Sequence, residues 1–346
     1  MTFIQYKLSF TFFLIALILN YFLTKFKFLN AIESKKQIQD IHIGNPSRLG
    51  GLVIYLLFSV YIFLYERNLA IVFLCSTFLV IPAFMEDIKI YISPLIRLLI
   101  IITASFILIY NFPILPYFDV GLVNNLVNHK IFKVIFYTLA LATVINGQNI
   151  IDGTNGLSGF TSLSIFSSIL FLGFHLNDQN IVNISIIVIS LLLAFLFFNY
   201  PFGKIFLGDG GSYFLGFLSG YLVIEIFSKY PELPTWSAVC ILYYPTLEVV
   251  FSYFRKLIQR KSPFMPDNLH LHIKIFYLIS NERKNIRLYN ALVAPFLGIV
   301  WISPLALLPF SLEYPHWSIL IVFCLSCFYL FFYFSIPEPN VKKINS

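Results

Sequence analysis

The chain has 346 residues, of which 59% are hydrophobic and 18% aromatic, whereas only 11% are charged. This composition excludes an ordinary soluble globular domain, in which charged residues make up about a quarter of the chain. The formal net charge is +7. It does not indicate nucleic-acid binding, because the basic residues flank apolar runs instead of clustering on one soluble face.

Apolar runs long enough to cross a bilayer, about 17 to 25 residues each, recur along the whole chain. We therefore predict an all-α, polytopic integral membrane protein with about 11 transmembrane helices, forming a single membrane-embedded domain over residues 1-346. The predicted spans, in chain order, are 8-23, 49-65, 69-85, 94-112, 131-147, 156-174, 181-198, 211-228, 235-254, 288-308 and 316-335.

The distribution of Lys and Arg predicts the orientation of these spans, because short cytoplasmic loops collect basic residues. Most of the 23 basic residues fall on one side of the predicted topology. This bias predicts an N-terminus outside, on the periplasmic side, and a cytoplasmic C-terminus. The cytoplasmic loops are then predicted at 24-48, 86-94, 148-156, 199-211 and 255-287.

Short polar segments interrupt the apolar pattern, and the predicted topology puts all of them on the cytoplasmic side. They are Glu86-Asp87, Asn146 to Gly159, Phe206 to Ser212 and Pro266 to His272. An ionisable residue at membrane depth costs a few kcal/mol unless it faces water, a metal or a partner, so such groups usually mark function. Their placement on one face indicates a single site.

The residue types in these segments favour a hard, oxygen-binding cation. Carboxylates and Asn suit Mg²⁺, with Mn²⁺ as an alternative, because such ions take one or two protein carboxylates and substrate phosphate oxygens. In GDGGS, glycines on both sides of Asp209 let the backbone approach a ligand, and its N–H groups could cradle a phosphate. Alternatively, Asp209 simply caps a glycine-rich helix start.

Each of the other segments also has a plainer interpretation. DGTNG, from Asp152 to Gly156, is an ordinary turn sequence. Glu86-Asp87 could be a solvated loop pair, and His270 and His272 could be interfacial loop histidines. These interpretations stay open when each segment is considered alone.

Taken together, five segments in order resemble one family. They are RLGG (Arg48 to Gly51), EDIKIYISPLIRLL, NGQNIIDGTNGL, NYPFGKIFLGDGGSYFLG and PDNLHLH. They resemble the motifs RxGG, DD…SPxxRL, NxxNxxDGxxGL, NxPxAxxFxGDxGSxxLG and PDxxHxHH of the polyprenyl-phosphate N-acetylhexosamine-1-phosphate transferase superfamily. This superfamily includes the phospho-N-acetylmuramoyl-pentapeptide translocase and enzymes that initiate O-antigen synthesis. The resemblance covers nearly the whole chain.

The resemblance implies a reaction in which a polyprenyl phosphate, such as undecaprenyl phosphate, attacks the β-phosphorus of a UDP-linked N-acetyl sugar. The products are polyprenyl-diphosphate-sugar and UMP, and the reaction would initiate a cell-surface polysaccharide. In-line phosphoryl transfer needs chiefly positioning and charge neutralisation, which Mg²⁺ and basic side chains supply.

The resemblance also implies residue roles. Asp209 would be the metal ligand, and Asp87 would meet the lipid phosphate, as a base or as a second metal ligand, with Glu86 beside it. His270 and His272 would contact the diphosphate or the sugar. The predicted substrate-binding residues are Arg48, Asn149, Asp152, Asn155 and Phe206, with Phe206 stacking on uracil.

Three positions depart from the family motifs. Glu86 replaces the first Asp of the Asp-Asp pair, Asn155 replaces an Asp often seen in DGxDG, and Ile273 replaces the final His of HxHH. The missing histidine argues against the peptidoglycan precursor. It favours a simpler UDP-N-acetylhexosamine, or a deoxy sugar such as N-acetylfucosamine or N-acetylquinovosamine.

Two functions of other classes remain open. A secondary transporter also gathers acidic groups in broken helices, but near the bilayer midplane and often in paired inverted repeats. A noncatalytic membrane scaffold is compatible with the departures from the motifs. Relatives of the peptidoglycan type suggest a homodimer, which no motif in this chain tests.

Overall fold

The computed structural model describes residues 3–25, 46–117, 124–263, 267–280 and 286–338. Within these ranges the chain is helical and contains no β-strand, only one parallel bridge between Ser47 and Ile205. The predicted all-α class is therefore confirmed. Predictions on the first cytoplasmic loop, residues 26–45, and on Pro266 lie outside the described residues.

Fifteen helices follow one another in the described part of the chain. They are α1 (Phe3–Lys25), α2 (Gly50–Tyr65), α3 (Ala70–Asp87), α4 (Pro94–Tyr110), α5 (Asn124–Val127), α6 (Lys130–Ile150), α7 (Leu157–His175), α8 (Gln179–Asn199), α9 (Gly208–Lys229), α10 (Thr235–Ile241), α11 (Tyr243–Ile258), α12 (Leu271–Ile279), α13 (Ile286–Phe296), α14 (Gly298–Glu313) and α15 (Pro315–Ser335).

Each of the eleven predicted apolar spans falls on a helix or on a pair of consecutive helices. Eight helical segments of the described chain are long and apolar enough to cross a membrane, and α10 with α11 would make a ninth. The helices α2 and α4 are apolar but shorter, with 16 and 17 residues. The chain is thus a multi-pass membrane protein, and the count of eleven stays a prediction.

The predicted span 235-254 is not one straight helix. It consists of α10 and α11, whose axes differ by 82°. The break follows from Pro245 in the first turn of α11, because proline has no N–H to bond the carbonyl four residues earlier and so prevents α10 from continuing. Sequence periodicity did not show this bend.

Helix α9 is the centre of the bundle, and almost all of its length, 94% over its most apolar 18 residues, is buried. It packs against α3, α6 and α2. A close crossing with α2 is possible because glycines face each other: a Cβ on Gly51 would lie 2.1 Å from the Gly211 Cα. A second buried cluster, around Tyr244 and Tyr329, joins α11 to α15.

Candidate active site

The predicted polar segments converge at one end of the helix bundle. Asp87 ends α3, Asp209 lies in the first turn of α9, and Asn149 lies in the last turn of α6. Arg48 lies two residues before α2, and the start of α2 is bonded to the segment before α9: Gly50 N donates to the Phe206 carbonyl at 2.9 Å. Segments far apart in sequence therefore lie side by side at this end of the bundle.

The carboxylate of Asp209 is the centre of this cluster and is largely buried, with 8% of the residue exposed. Arg97 approaches its Oδ2 at 3.0 Å, and the Asn149 amide donates to its Oδ1 at 3.0 Å. Arg48 is 3.5 Å from the same Oδ1. The Asn149 amide also donates to Ser212 at 3.0 Å, which fixes it to the first turn of α9.

Arg97 belongs to the site, although no role was predicted for it from the sequence. It is the Arg of the segment EDIKIYISPLIRLL. Its guanidinium contacts Glu86 at 2.9 Å and Asp209 at 3.0 Å, so it bridges the two acidic segments. The local sequence explains its position. Ser93 caps α4 by accepting from Ile96 N, and Pro94 occupies the first helical turn. The signal in the sequence was this Ser-Pro helix start followed by a lone Arg.

Asp87 binds the backbone at the start of α9. Its two carboxylate oxygens accept from the N–H groups of Asp209 and Gly210, at 2.9 and 3.0 Å. Two of the N–H groups that we expected to cradle a phosphate are therefore already occupied. The alternative in which Asp209 itself caps α9 also needs correction, because the capping carboxylate is that of Asp87 at the end of α3.

The cluster contains more carboxyl groups than guanidinium groups. Asp152 lies in the loop after α6, beside Arg48 and Gly208. Burial, together with the neighbouring Asp209 and Asp87 carboxylates, raises the pKa of Asp152 well above its ordinary value, although Arg48 opposes the shift. Four carboxylates, those of Glu86, Asp87, Asp152 and Asp209, thus share two guanidiniums.

This donor set fits Mg²⁺. The described residues contain no group of three or more acidic, His or Cys side chains arranged to hold a metal on their own. Mg²⁺ does not require one, because it keeps waters and substrate phosphate oxygens and takes only one or two carboxylates. Asp209 and Asp87 are the residues that would hold it, and the surplus of carboxylates over guanidiniums favours a cation there.

The two predicted histidines lie beside the DGTNG loop. A Cβ on Gly153 would be 2.7 Å from Nε2 of His272, so the His272 ring packs directly on this loop. Burial lowers the pKa of His272 to about 4, which makes its imidazole neutral at physiological pH. The His270 ring stacks on His272 with the centroids 5.8 Å apart. The structure thus joins the histidine segment to the DGTNG segment.

Asn155 and Phe206 have packing contacts in this structure. The Asn155 side chain donates to the Pro201 carbonyl at 2.8 Å, and its backbone N–H donates to Asn290 at 2.6 Å. Only 5% of Phe206 is exposed, so its ring presents no open face for a base. Their predicted roles in binding the nucleotide stay predictions, and stacking on Phe206 would require neighbouring groups to move.

Comparison with known proteins agrees with the motifs. The family model described as "Glycosyl transferase family 4" matches residues 69–227. Three relatives are named "Undecaprenyl-phosphate alpha-N-acetylglucosaminyl 1-phosphate transferase". The Thermotoga maritima protein is 37% identical over 81 residues, 23% of this chain and 26% of the relative. The Haemophilus influenzae protein is 34% identical over 94 residues, which are 25% of this chain and 26% of the relative. The Escherichia coli K12 protein is 30% identical over 127 residues, which are 36% of this chain and 33% of the relative.

These alignments cover between a quarter and a third of each relative's length. The family segment, residues 69–227, includes Glu86, Asp87, Asn149, Asp152 and Asp209. The predicted resemblance to the polyprenyl-phosphate N-acetylhexosamine-1-phosphate transferase superfamily is confirmed over this central segment, which matches glycosyl transferase family 4.

Proposed function

We propose that this protein transfers an N-acetylhexosamine-1-phosphate group from a UDP-sugar to undecaprenyl phosphate or a related polyprenyl phosphate. An oxygen of the lipid phosphate forms a bond to the β-phosphorus of the donor. The bond from that phosphorus to the oxygen bridging the two phosphates breaks, and UMP leaves. The observation that carries the proposal is the buried Asp209, bound by Arg97, Asn149 and Arg48 at the end of a bundle of apolar helices.

This arrangement suits phosphoryl transfer between a lipid and a nucleotide sugar. Such transfer depends on holding two phosphates in line and neutralising their charge, with little covalent chemistry for the protein to perform. Arg48 is half exposed, with 48% of its side chain accessible, so it is available to an incoming phosphate. Arg97 is less exposed and holds Glu86 and Asp209 in place. When bound, Mg²⁺ would neutralise charge on the diphosphate.

We also propose a location and a biological context. The site lies at the cytoplasmic face of a bacterial inner membrane, as the distribution of basic residues predicts. The names of the relatives make N-acetylglucosamine the first donor sugar to test, with N-acetylfucosamine and N-acetylquinovosamine next. The lipid-linked product would initiate an O-antigen-like surface polysaccharide. A homodimer stays a separate prediction.

The test is UMP release by the detergent-purified protein with undecaprenyl phosphate, Mg²⁺ and a panel of UDP-N-acetyl sugars. We expect release with one donor, no release in EDTA, and a loss of about 100-fold or more for Asp209→Asn. Glu232→Gln, a change at an exposed residue between α9 and α10, is the control and should leave the rate unchanged. Absence of release with every sugar, from folded protein, would contradict the proposal and favour the scaffold.

A further inference from the structure

Helix α11 has an unusual distribution of polar residues. Glu248, Ser252 and Arg255 are buried, whereas Tyr253, Phe254, Leu257 and Ile258 are exposed. The polar residues are spaced by four and three positions, so they lie on one face of the helix. Their burial means that this polar face is directed into the protein, and the apolar face is directed outward. A buried polar stripe of this kind is expensive unless it binds something.

The stripe binds the segment that carries the two histidines. Arg255 contacts both carboxylate oxygens of Asp267, at 3.1 and 2.8 Å, and donates to the Leu269 carbonyl at 2.8 Å. Ser252 accepts from the same guanidinium at 3.1 Å. Arg255 also donates to the hydroxyl of Tyr333 in α15 at 2.9 Å. The residues on both sides of Asn268 are thus fixed to α11.

Glu248, one turn before Ser252, contacts a histidine directly. Its Oε2 lies 3.2 Å from Nδ1 of His270, and only 1% of Glu248 is exposed. The other ring nitrogen of His270, Nε2, is 3.7 Å from the Asp267 Oδ1. A carboxylate beside Nδ1 holds a proton on that nitrogen and fixes the ring orientation, as an orienting acid does for a functional histidine.

We propose that Glu248 is the positioning residue for His270. It accepts from the His270 Nδ1–H, which fixes the proton on that nitrogen. Nε2, at 3.7 Å from Asp267 Oδ1 and so beyond hydrogen-bond distance, is then the nitrogen that meets a ligand. The stacking of His270 on His272, and the contacts of Arg255 with Asp267 and Leu269, hold the imidazole ring against Glu248. The proposal rests on the proposed transferase function, in which His270 meets the donor's diphosphate or sugar.

A double-mutant cycle tests whether Glu248 acts through His270. In the UMP-release assay we expect Glu248→Gln to lower kcat by about 10- to 100-fold, by analogy with the outer partners of metal-bound histidines. In a His270→Gln background the same change should alter kcat by less than about twofold. Multiplicative losses in the double variant would overturn the proposal, because they would mean that the two residues act independently.

The matched control is Glu66→Gln, which changes another buried glutamate. Glu66 lies after α2 and contacts Tyr61 at 3.4 Å, away from the histidine segment. We expect its kcat to stay within about twofold of the wild-type value. A loss in this variant as large as that of Glu248→Gln would attribute the effect to general loss of buried charge and would count against positioning.

A second measurement does not depend on activity. In protein labelled with ¹⁵N-histidine, the His270 signals are assigned by their absence in His270→Gln. We expect a proton on Nδ1 in the wild type at mildly alkaline pH, and loss of that preference in Glu248→Leu. An unchanged His270 spectrum in Glu248→Leu would overturn the proposal. If the spectrum changes but no donor yields UMP, the transferase function fails and the positioning by Glu248 stands.

Discussion

The Asp209 carboxylate is bound at both oxygens before any substrate arrives. Arg97 contacts Oδ2, and the Asn149 amide contacts Oδ1. Partners already in place lower the reorganisation needed when charge shifts during a reaction. The contact of Arg97 with Glu86 explains how Glu replaces the usual Asp at this position: the longer side chain still reaches the guanidinium, at 2.9 Å.

Arg97 gives the first prediction at this scale. Arg97→Gln leaves Glu86 and Asp209 without their shared cation, so we expect kcat/KM for UMP release to fall about 100-fold. Arg97→Lys should recover only part of the activity, because an ammonium does not reproduce the planar guanidinium. The control is Arg67→Gln, at an exposed residue that covers the ring of Phe63. Equal rates for Arg97→Gln and the wild type would exclude Arg97 from the site.

His272 gives a prediction about pH. Its pKa is about 4 in the folded protein, below the ordinary value of 6.5, because burial disfavours the imidazolium. The unfolded chain therefore binds more protons between these values, so stability is complete above about pH 6.5 and decreases toward pH 4. We expect the thermal midpoint in detergent to fall as the pH decreases from about 6.5 to about 4. His272→Gln should reduce the slope of the thermal midpoint against pH. An identical slope in the variant would contradict the assignment to His272.

At the scale of elements, α9 is fixed to its neighbours by backbone contacts. Gly51 and Gly211 allow α2 and α9 to cross closely, and Asp87 at the end of α3 accepts two N–H groups of α9. Gly208 has a φ of +73°, a conformation that other residues rarely adopt, and its carbonyl accepts from Ser212. The glycines of GDGGS thus serve helix packing as well as any approach to a ligand.

The α2–α9 crossing predicts different effects for two glycines. A Cβ on Gly211 would lie 2.4 Å from the Gly51 Cα, so Gly211→Ala must move a helix, at a cost of about 1–3 kcal/mol. A Cβ on Gly298 would meet nothing within 4 Å. We expect Gly211→Ala to lower the Tm in detergent by several degrees, and Gly298→Ala to leave it unchanged or raise it. Equal Tm values would argue against the close crossing.

At the scale of the molecule, the two ends of α9 differ in character. Its N-terminus carries the Asp209 cluster. At its C-terminus, Lys229 and Tyr230 bind Asp178, whose carboxylate caps α8. The helix has 22 residues, so these ends are about 33 Å apart, close to the thickness of a bilayer core. The two polar clusters therefore suit opposite membrane surfaces, with the candidate active site confined to one of them.

Cysteine labelling tests which surface is cytoplasmic. Ser262 follows α11 on the side of the site, and Glu232 lies between α9 and α10 on the other side; both are exposed. With Cys324 and Cys327 changed to Ser, we expect Glu232→Cys to react with an impermeant reagent added to intact cells. Ser262→Cys should react only after the cells are opened. The reverse pattern would invert the predicted topology and place the site on the periplasmic side.

Several features of this protein were predictable from sequence because they depend on local properties of the chain. Every predicted apolar run is helical, since a segment surrounded by hydrocarbon must bond its own backbone groups, which an α-helix does internally. The motifs at the ends of these runs indicated a single site, and Asp87, Asn149 and Asp209 do meet. The bend at Pro245 was missed, because hydropathy measures the length of an apolar run and not its direction.

The partners of each charge were decided only by the tertiary structure. Arg97 meets Asp209 across 112 residues, and Asp87 caps α9 across 122. Neither contact is determined by local propensity, because each depends on which helices are neighbours in the bundle. The same holds for Glu248, which lies in an apolar run and becomes significant only where His270 packs against it. The sequence thus determined the helices and the residues at their ends, whereas packing decided which of those residues act together.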